Sequence, residues 1–160
     1  MAAGRNGITT RPDLRLKLCD ANDLPALMGL ARRGHAEGAA FLPFDADKVA
    51  WWAARVVAKH LVIGVESETG ELVGAIALDD EAPRYSSAVA LWDIGFYVSA
   101  EHRRSRAAVM LRDAAIAIAA DMGLPLFLGV TTGVDLERKG KFFTRVGFQP
   151  IGAVYLLRRG

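Results

Sequence analysis

The sequence predicts a mixed α/β (α+β) domain, a mainly antiparallel central sheet flanked by about four helices in the order β-α-α-β-β-β-α-β-α-β. Three observations carry that expectation. Apolar residues recur either with a period of two or in β-branched and aromatic runs, stretches with helical spacing separate them, and Gly, Pro and Asp fall at the joins. At 160 residues, 52% hydrophobic and 24% charged, the chain suits one domain spanning 1–160 with a core of its own.

Residues 1–13 have no apolar run and read as a flexible leader, without the central region of a secretory signal. Leu14, Leu16 and Leu18 alternate with Arg15, Lys17 and Cys19, a half-buried strand. Asp20 caps a first helix, Asp23 adds negative charge to its first turn, and Leu24, Leu27, Met28 and Ala31 recur at helical spacing to about Gly34. The stretch GHAEGAAFLPF reads as a connector before Asp45 caps a second helix through Trp51, Trp52 and Val56. HLVIGVESETGELVGAIALDD holds two apolar runs around Glu68-Thr69-Gly70-Glu71, a hairpin. After a polar link, ALWDIGFYV is a long buried strand that ends at Val98. Ala108, Leu111, Ala115, Ile118 and Met122 form one helical stripe, stopped by Gly123 and Pro125. LPLFLGV is a short buried strand, a helix carrying Phe142, Phe143 and Val146 ends at Gly147, and PIGAVYLLR is a β-rich closing strand.

Composition excludes several functions. No apolar run approaches the roughly 18 residues of a membrane span. The net charge of +2 is too small for a surface that tracks nucleic acid. One cysteine, Cys19, can form neither an internal disulfide nor a zinc site, which points to the reducing cytoplasm. His35, His60 and His102 are scattered, so no metal site is expected and each reads as a surface or loop residue.

The charge that matters is local. Arg103, Arg104 and Arg106 crowd the positive end of the third helix, where cations are unfavourable unless an anion balances them. The first N–H groups of a helix have no intrahelical acceptor, so this turn suits a pyrophosphate. Ser105 has a hydroxyl to donate, and Ala107 and Ala108 are small enough for a phosphate to approach the main chain. Taken alone, RRSR reads better as a solvated turn before an amphipathic helix.

VSAEHRRSRAAVML resembles the acyl-CoA signature of the GNAT superfamily of N-acetyltransferases, in which Val ends a strand and Arg/Gln-x-x-Gly-x-Gly/Ala opens a helix; Val98, Arg103 and Ala108 match it. KFFTRVGFQPIGAVYLLR is similar to that family's C-terminal pattern through Phe142, Gly147 and Phe148, and LKLCDANDLPALMGLAR to its start. The resemblance runs from about Leu14 to Arg158. It implies a GNAT-like fold and transfer of an acetyl group from acetyl-CoA, as co-substrate, to an amine-bearing acceptor by direct attack in a ternary complex. It places the cofactor at Phe96, Val98, Arg103, Arg104, Ser105, Arg106, Ala107 and Ala108. Nucleic acid and membrane are not expected as partners, and the apolar last strand suits a homodimer.

Two positions depart from the family pattern. Arg106 stands where the family has its first glycine, so either this backbone position needs no positive φ or the arginine tolerates it by gripping a phosphate. Phe143 stands where many members have a tyrosine that protonates the leaving thiolate, and phenylalanine has no proton to give. Both departures also permit a catalytically silent CoA-binding module of the same fold.

Transfer from thioester to amine needs a base, and Asp93 is the candidate. It lies alone in an apolar strand, and alternation places it with Gly95 and Tyr97, opposite Ile94, Phe96 and Val98. An exposed strand edge would explain it equally. Glu37 reads as solvated or as a contact for the acceptor amine. Trp51 and Trp52 cannot share a helix face, so one is expected in the core and the other over the acceptor entrance. Cys19 reads as an unactivated packed thiol, and Tyr155 as core or cleft lining.

Overall fold

The computed structural model describes residues 13–130, 134–155 and 157. Five strands form one sheet in the order β1-β2-β3-β4-β5: β1 (Arg15–Leu18), β2 (Leu61–Glu66), β3 (Leu72–Glu81), β4 (Ala90–Val98) and β5 (Leu126–Phe127). The first four are antiparallel neighbours, and β5 runs parallel to β4. The helices are α1 (Leu24–Gly38), α2 (Ala46–Lys59), α3 (Ala107–Met122) and α4 (Leu136–Thr144). None of these is long and apolar enough to cross a membrane.

The sheet separates two cores. On one face α3 sets Ala107, Leu111, Ala115 and Ala119 against Ile63, Val65, Val73, Ile76, Leu78 and Val98. On the other, α1 and α2 set Leu30 and Val56 against Val62, Leu72 and Cys19. A fully buried leucine such as Leu111, 0% exposed, contributes about 1.5–3 kcal/mol over an exposed one.

Local signals explain most boundaries. Asp45 accepts the Lys48 N–H at 3.0 Å and caps α2, a feature that contributes about 1 kcal/mol. Asp20 and Asp23 form a reciprocal capping box, but around a 3-10 turn, Ala21–Asp23, that leads into α1. Gly70 turns the β2–β3 hairpin at φ +80°, Gly123 ends α3 at φ +66° and Gly147 follows α4 at φ +98°, all conformations that a side chain disfavours.

The structure corrects several expectations. Leu16 and Leu18 are 46% and 66% exposed, because β1 is an edge strand and α3 packs chiefly across β2, β3 and β4; Leu14 alone of the three packs on the α3 core. α1 extends to Gly38, one turn past Gly34, and closes with the Ala39 N–H on the His35 carbonyl at 2.8 Å. In α3 the buried line begins at Ala107, and Met122 is 46% exposed. β5 shrinks to two residues, and Val146 lies beyond α4.

The closing strand does not form over Pro150–Tyr155, and Leu156 and Arg158–Gly160 lie outside the described residues. A strand needs a partner edge. β5 pairs with β4 only through Leu91↔Leu126 and Trp92↔Phe127, so it offers little, and Ile151, Val154 and Tyr155 are 77%, 82% and 92% exposed. Tyr155 is therefore neither core nor cleft lining.

Candidate active site

The site begins with an irregularity in β4. Ala77 pairs with Gly95 and Leu78 with Asp93, which leaves Ile94 as an extra residue, a bulge. A bulge breaks strict alternation. Leu91, Phe96 and Val98 pack on the α3 side and Ile94 and Tyr97 on the α1–α2 side, so Asp93, two residues after Leu91, does not share the face of Tyr97 as alternation predicts.

β4 is also one-sided. It pairs with β3 to its end, whereas its pairing with β5 stops at Trp92. From Asp93 to Val98 the outer edge has no strand partner among the described residues. Backbone groups on such an edge are free to bind an extended ligand.

Ser99, 0% exposed, pins the chain as it leaves β4: its hydroxyl donates to the Val73 carbonyl at 3.0 Å and accepts from His102 Nδ1 at 3.1 Å. The next turn is held from within. Arg103 Nε donates to the Val98 carbonyl at 3.2 Å, and its guanidinium also binds Glu37. Ser105 Oγ donates to the His102 carbonyl at 2.6 Å and accepts the Ala107 N–H at 3.1 Å, so its proton is already committed. Arg106 has φ −81°, so this position needs no positive φ and the missing glycine is tolerated.

What the turn leaves open is cationic. The N–H groups of Arg104, Arg106, Ala108 and Val109 have no acceptor among the described residues, and the first helical bond is Met110 N–H to the Arg106 carbonyl. Arg104 and Arg106 are exposed and form no ion pair among the described residues. Ala107 is buried against the core and Ala108 is half-buried.

Glu37 is the feature that sequence reasoning undervalued. The extra turn of α1 carries it to the end of β4, where it accepts the Tyr97 hydroxyl at 2.7 Å and pairs with Arg103. Burial works against its ionisation, but those two hydrogen bonds prevail and hold the carboxyl below the ordinary range. Burial and the Glu37 carboxylate push the Tyr97 phenol up to about 12. Gly34 lets α1 pack closely on the Tyr97 ring, where a Cβ would lie 3.1 Å from the ring and make it shift by a few tenths of an ångström.

Asp93 faces the gap between β4 and β5. Its carboxylate accepts the Gly129 N–H at 2.6 Å. Burial pushes its pKa up, and the Gly129 N–H only partly offsets this.

Phe96 meets Phe142 and Phe143, with ring centroids at 6.4 and 6.3 Å, and Phe143 meets Phe148 at 5.6 Å. Arg112, 8% exposed, fixes this group. Its guanidinium donates to the Phe142 carbonyl at 3.0 Å, to Asp113, and lies 4.5 Å from the Phe142 ring centre. An adjacent pair of opposite charges in a helical run, Arg112 and Asp113, reads as solvated, so sequence alone did not single Arg112 out.

The remaining candidates fall outside this group. Trp51 and Trp52 are 62% and 46% exposed, so neither is core, and Trp52 lines a cavity between α1, α2 and the sheet. His102 is half-buried in the turn after β4, a loop position. Burial pushes the Cys19 thiol up to about 11, an inert packed residue. Among the described residues no group of three His, Cys, Asp or Glu side chains could hold a metal ion.

A bulged, one-sided strand that runs into a cationic helix start, on a mainly antiparallel sheet with helices on both faces, defines an α/β domain of the N-acetyltransferase type. Residues 24–148 match the model of the Acetyltransferase (GNAT) family, and the chain belongs to that family. Its fold is similar to that of ribosomal-protein-alanine N-acetyltransferase from Brucella melitensis biovar Abortus 2308, with 18% identity, TM-score 0.67, and coverage of 92% of this chain and 100% of that one. It is also similar to a GCN5-related N-acetyltransferase from Ralstonia eutropha JMP134, with 18% identity, TM-score 0.70, and coverage of 92% and 100%. A third similar structure is an aminoglycoside N-acetyltransferase in complex with CoA, with 13% identity, TM-score 0.71, and coverage of 95% and 98%. At these identities the likeness concerns the fold. No curated protein sequence matches the chain.

Proposed function

We propose that this protein is an N-acetyltransferase that moves an acetyl group from acetyl-CoA to an amine in a ternary complex. The observation that carries the reading is the junction of β4 and α3. There a strand edge with no strand partner among the described residues leads, through the turn at 99–106, to N–H groups with no acceptor among those residues, flanked by two exposed arginines.

In this reading the N–H groups of Arg106, Ala108 and Val109 and the side chains of Arg104 and Arg106 hold the pyrophosphate. Ala108, half-buried and small, gives it room, while Ala107 packs inward on the core. Arg103, bonded to the Val98 carbonyl and to Glu37, and Ser105, bonded within the turn, shape the site instead of donating to the phosphate. Phe96 and Val98 line the path from phosphate to thioester, and an N–H on the free edge of β4 receives the developing oxyanion. The amine nitrogen attacks the thioester carbonyl, the C–N bond forms, the C–S bond breaks and the thiolate departs. Asp93, the carboxylate beside the open edge, takes the ammonium proton. Its raised pKa supports that assignment, because a base poised nearer neutral pH is the better catalyst.

A second reading, CoA binding without turnover, is favoured by one observation: Phe143 sits among three phenylalanine rings with no hydroxyl of its own. A CoA thiol resembles free cysteine, whose pKa is about 8.5, and so leaves tolerably without an acid. For this reason the enzyme reading is preferred. A location in the reducing cytoplasm is supported by the single, free and buried Cys19. The exposed apolar residues Ile151, Val154 and Tyr155 are where a homodimer contact belongs in this reading.

The test is direct. Acetyl-CoA should raise the thermal midpoint, and free thiol should appear when polyamines, amino acids, aminoglycosides and peptide N-termini are supplied in turn. Tight acetyl-CoA binding with no thiol release from any of them would favour the silent module.

A further inference from the structure

The cavity between α1, α2 and the sheet has a volume of 150 Å³. Interiors rarely keep voids much larger than a water molecule; an enclosed apolar cavity of about this volume accepts a ring the size of benzene, and in this one, which is open on one side, such a ring would displace water from apolar walls. This one exists because α1, α2 and β3 all turn alanines towards it, Ala31, Ala53 and Ala75 among them. Its rim includes Trp52, 46% exposed, and Gly95, also exposed, so the cavity opens at the surface of the molecule.

Two features give it a chemical character. No charged side chain lines it, and the hydroxyl of its one tyrosine, Tyr97, is already given to Glu37. A sugar hydroxyl or a second ammonium placed inside would lose water and find no partner. Its opening at Gly95 adjoins the Ile94 bulge, on the stretch of β4 whose outer edge is unpaired. A molecule seated in it by an apolar body would leave its polar end at the strand that is to hold the thioester.

We propose that the cavity holds the apolar body of the acceptor, and that the acceptor is a primary arylalkyl or alkyl amine of about the size of 2-phenylethylamine. The inference rests on the transferase reading. The amine nitrogen stays at the Gly95 end; its ammonium gives up one proton to Asp93, two positions earlier on the same open edge, the C–N bond forms, the C–S bond breaks and CoA leaves as the thiolate. Polyhydroxylated or polycationic amines do not enter.

The probe is 2-phenylethylamine, with spermidine and neamine as polar controls, used on the full chain in the presence of CoA. The expected result is a rise in thermal midpoint with 2-phenylethylamine alone of the three, and thiol release from acetyl-CoA with the same preference. Ala53→Leu, which fills the cavity, should raise KM for 2-phenylethylamine at least tenfold and leave the acetyl-CoA shift intact. Should that variant not fold, Ala75→Val serves the same purpose. A filled variant with a higher midpoint and unchanged KM would identify the space as unfilled core and overturn the proposal. Acetylation of spermidine or neamine without binding of 2-phenylethylamine would overturn it too, while the transferase reading stood. Binding of 2-phenylethylamine with no response to acetyl-CoA would remove the transferase reading and keep the cavity as an apolar-amine site.

Discussion

Tyr97 donates its hydroxyl to Glu37 at 2.7 Å, and Arg103 closes on the same carboxylate. The end of β4, the last turn of α1 and the turn before α3 are thereby tied at one point. About a third of each charged side chain is open to solvent, 36% for Arg103 and 32% for Glu37, so the ion pair itself contributes about 1 kcal/mol or less.

Because the Glu37 carboxyl is held below its ordinary value, its contribution is present above the unfolded pKa, about 4.3, and is lost as pH falls through the lower folded value. Glu37→Gln should therefore lower the urea midpoint at pH 7. The gap from wild type should close as pH falls below about 4. A gap that stays constant down to pH 3 would show that the carboxylate charge contributes nothing.

The arginines of the turn should separate by role. Arg104→Ala with Arg106→Ala should keep the apo midpoint and weaken CoA binding about tenfold or more, since a charge-assisted bond to phosphate contributes about 1.5–3 kcal/mol. Arg103→Ala, which breaks the contacts to Val98 and Glu37, should lower the apo midpoint and still allow a CoA-induced rise. Calorimetric titration of CoA against the variants decides this. Equal loss of CoA affinity in the Arg103 variant alone would move the phosphate to that guanidinium.

Arg112 holds α4 to α3 through the Phe142 carbonyl. Arg112→Met keeps the length of the stem but leaves that carbonyl without its donor, a cost of about 1–3 kcal/mol. The loss should appear in urea unfolding at neutral pH. An unchanged midpoint would mean that α4 is held by its phenylalanines alone.

Elements set by neighbours in sequence were legible: the Asp45 cap, the hairpin at Gly70, the end of β4 at Val98 and the stop at Gly123 all depend on a few adjacent residues. The geometry of the candidate site was legible where it is local, as in the arginine turn before α3. It was not legible where distant chains decide. The Ile94 bulge is set by the register against β3, and it moved Asp93 off the face that alternation assigns. The Glu37 contact joins residues 60 positions apart and needed a turn of α1 that the two glycines, Gly34 and Gly38, argued against. The apolar tail shows the reverse error, since β propensity without a partner edge makes no strand.

Asp93 is a carboxylate pushed up by burial, so folding favours its protonated form and its ionisation costs stability that is progressively lost as pH rises through the folded pKa. Asp93→Asn keeps an oxygen for the Gly129 N–H and removes the charge. The variant should hold or gain stability relative to wild type at pH 7 and lose that advantage at pH 4. If Asp93 is the base, turnover should fall by about 10²–10⁴ with CoA affinity unchanged, and the deficit should shrink as pH rises and the free amine becomes available without help. A variant with full turnover at pH 7 would assign Asp93 to the Gly129 contact alone.

Phe143 separates a working transferase from a silent binder. It is half-buried, with Phe96, Phe142 and Phe148 at 6.3, 5.1 and 5.6 Å between ring centres, and these edge-to-face contacts do not depend on the para position. Phe143→Tyr adds one hydroxyl to a ring that is not fully enclosed, so the variant should fold with a midpoint close to that of wild type. In a transferase that already expels its thiolate unaided, the new phenol can protonate the sulfur, and thiol release should hold or rise, most visibly below pH 8, where the departing thiolate gains most from a proton donor. In a silent module both proteins should bind acetyl-CoA and release thiol only at the spontaneous rate with every amine supplied. A rate that falls in the variant while acetyl-CoA binding is kept would mean that the para position of Phe143 faces the pantetheine path and is needed empty, which would make its missing hydroxyl a feature of the site.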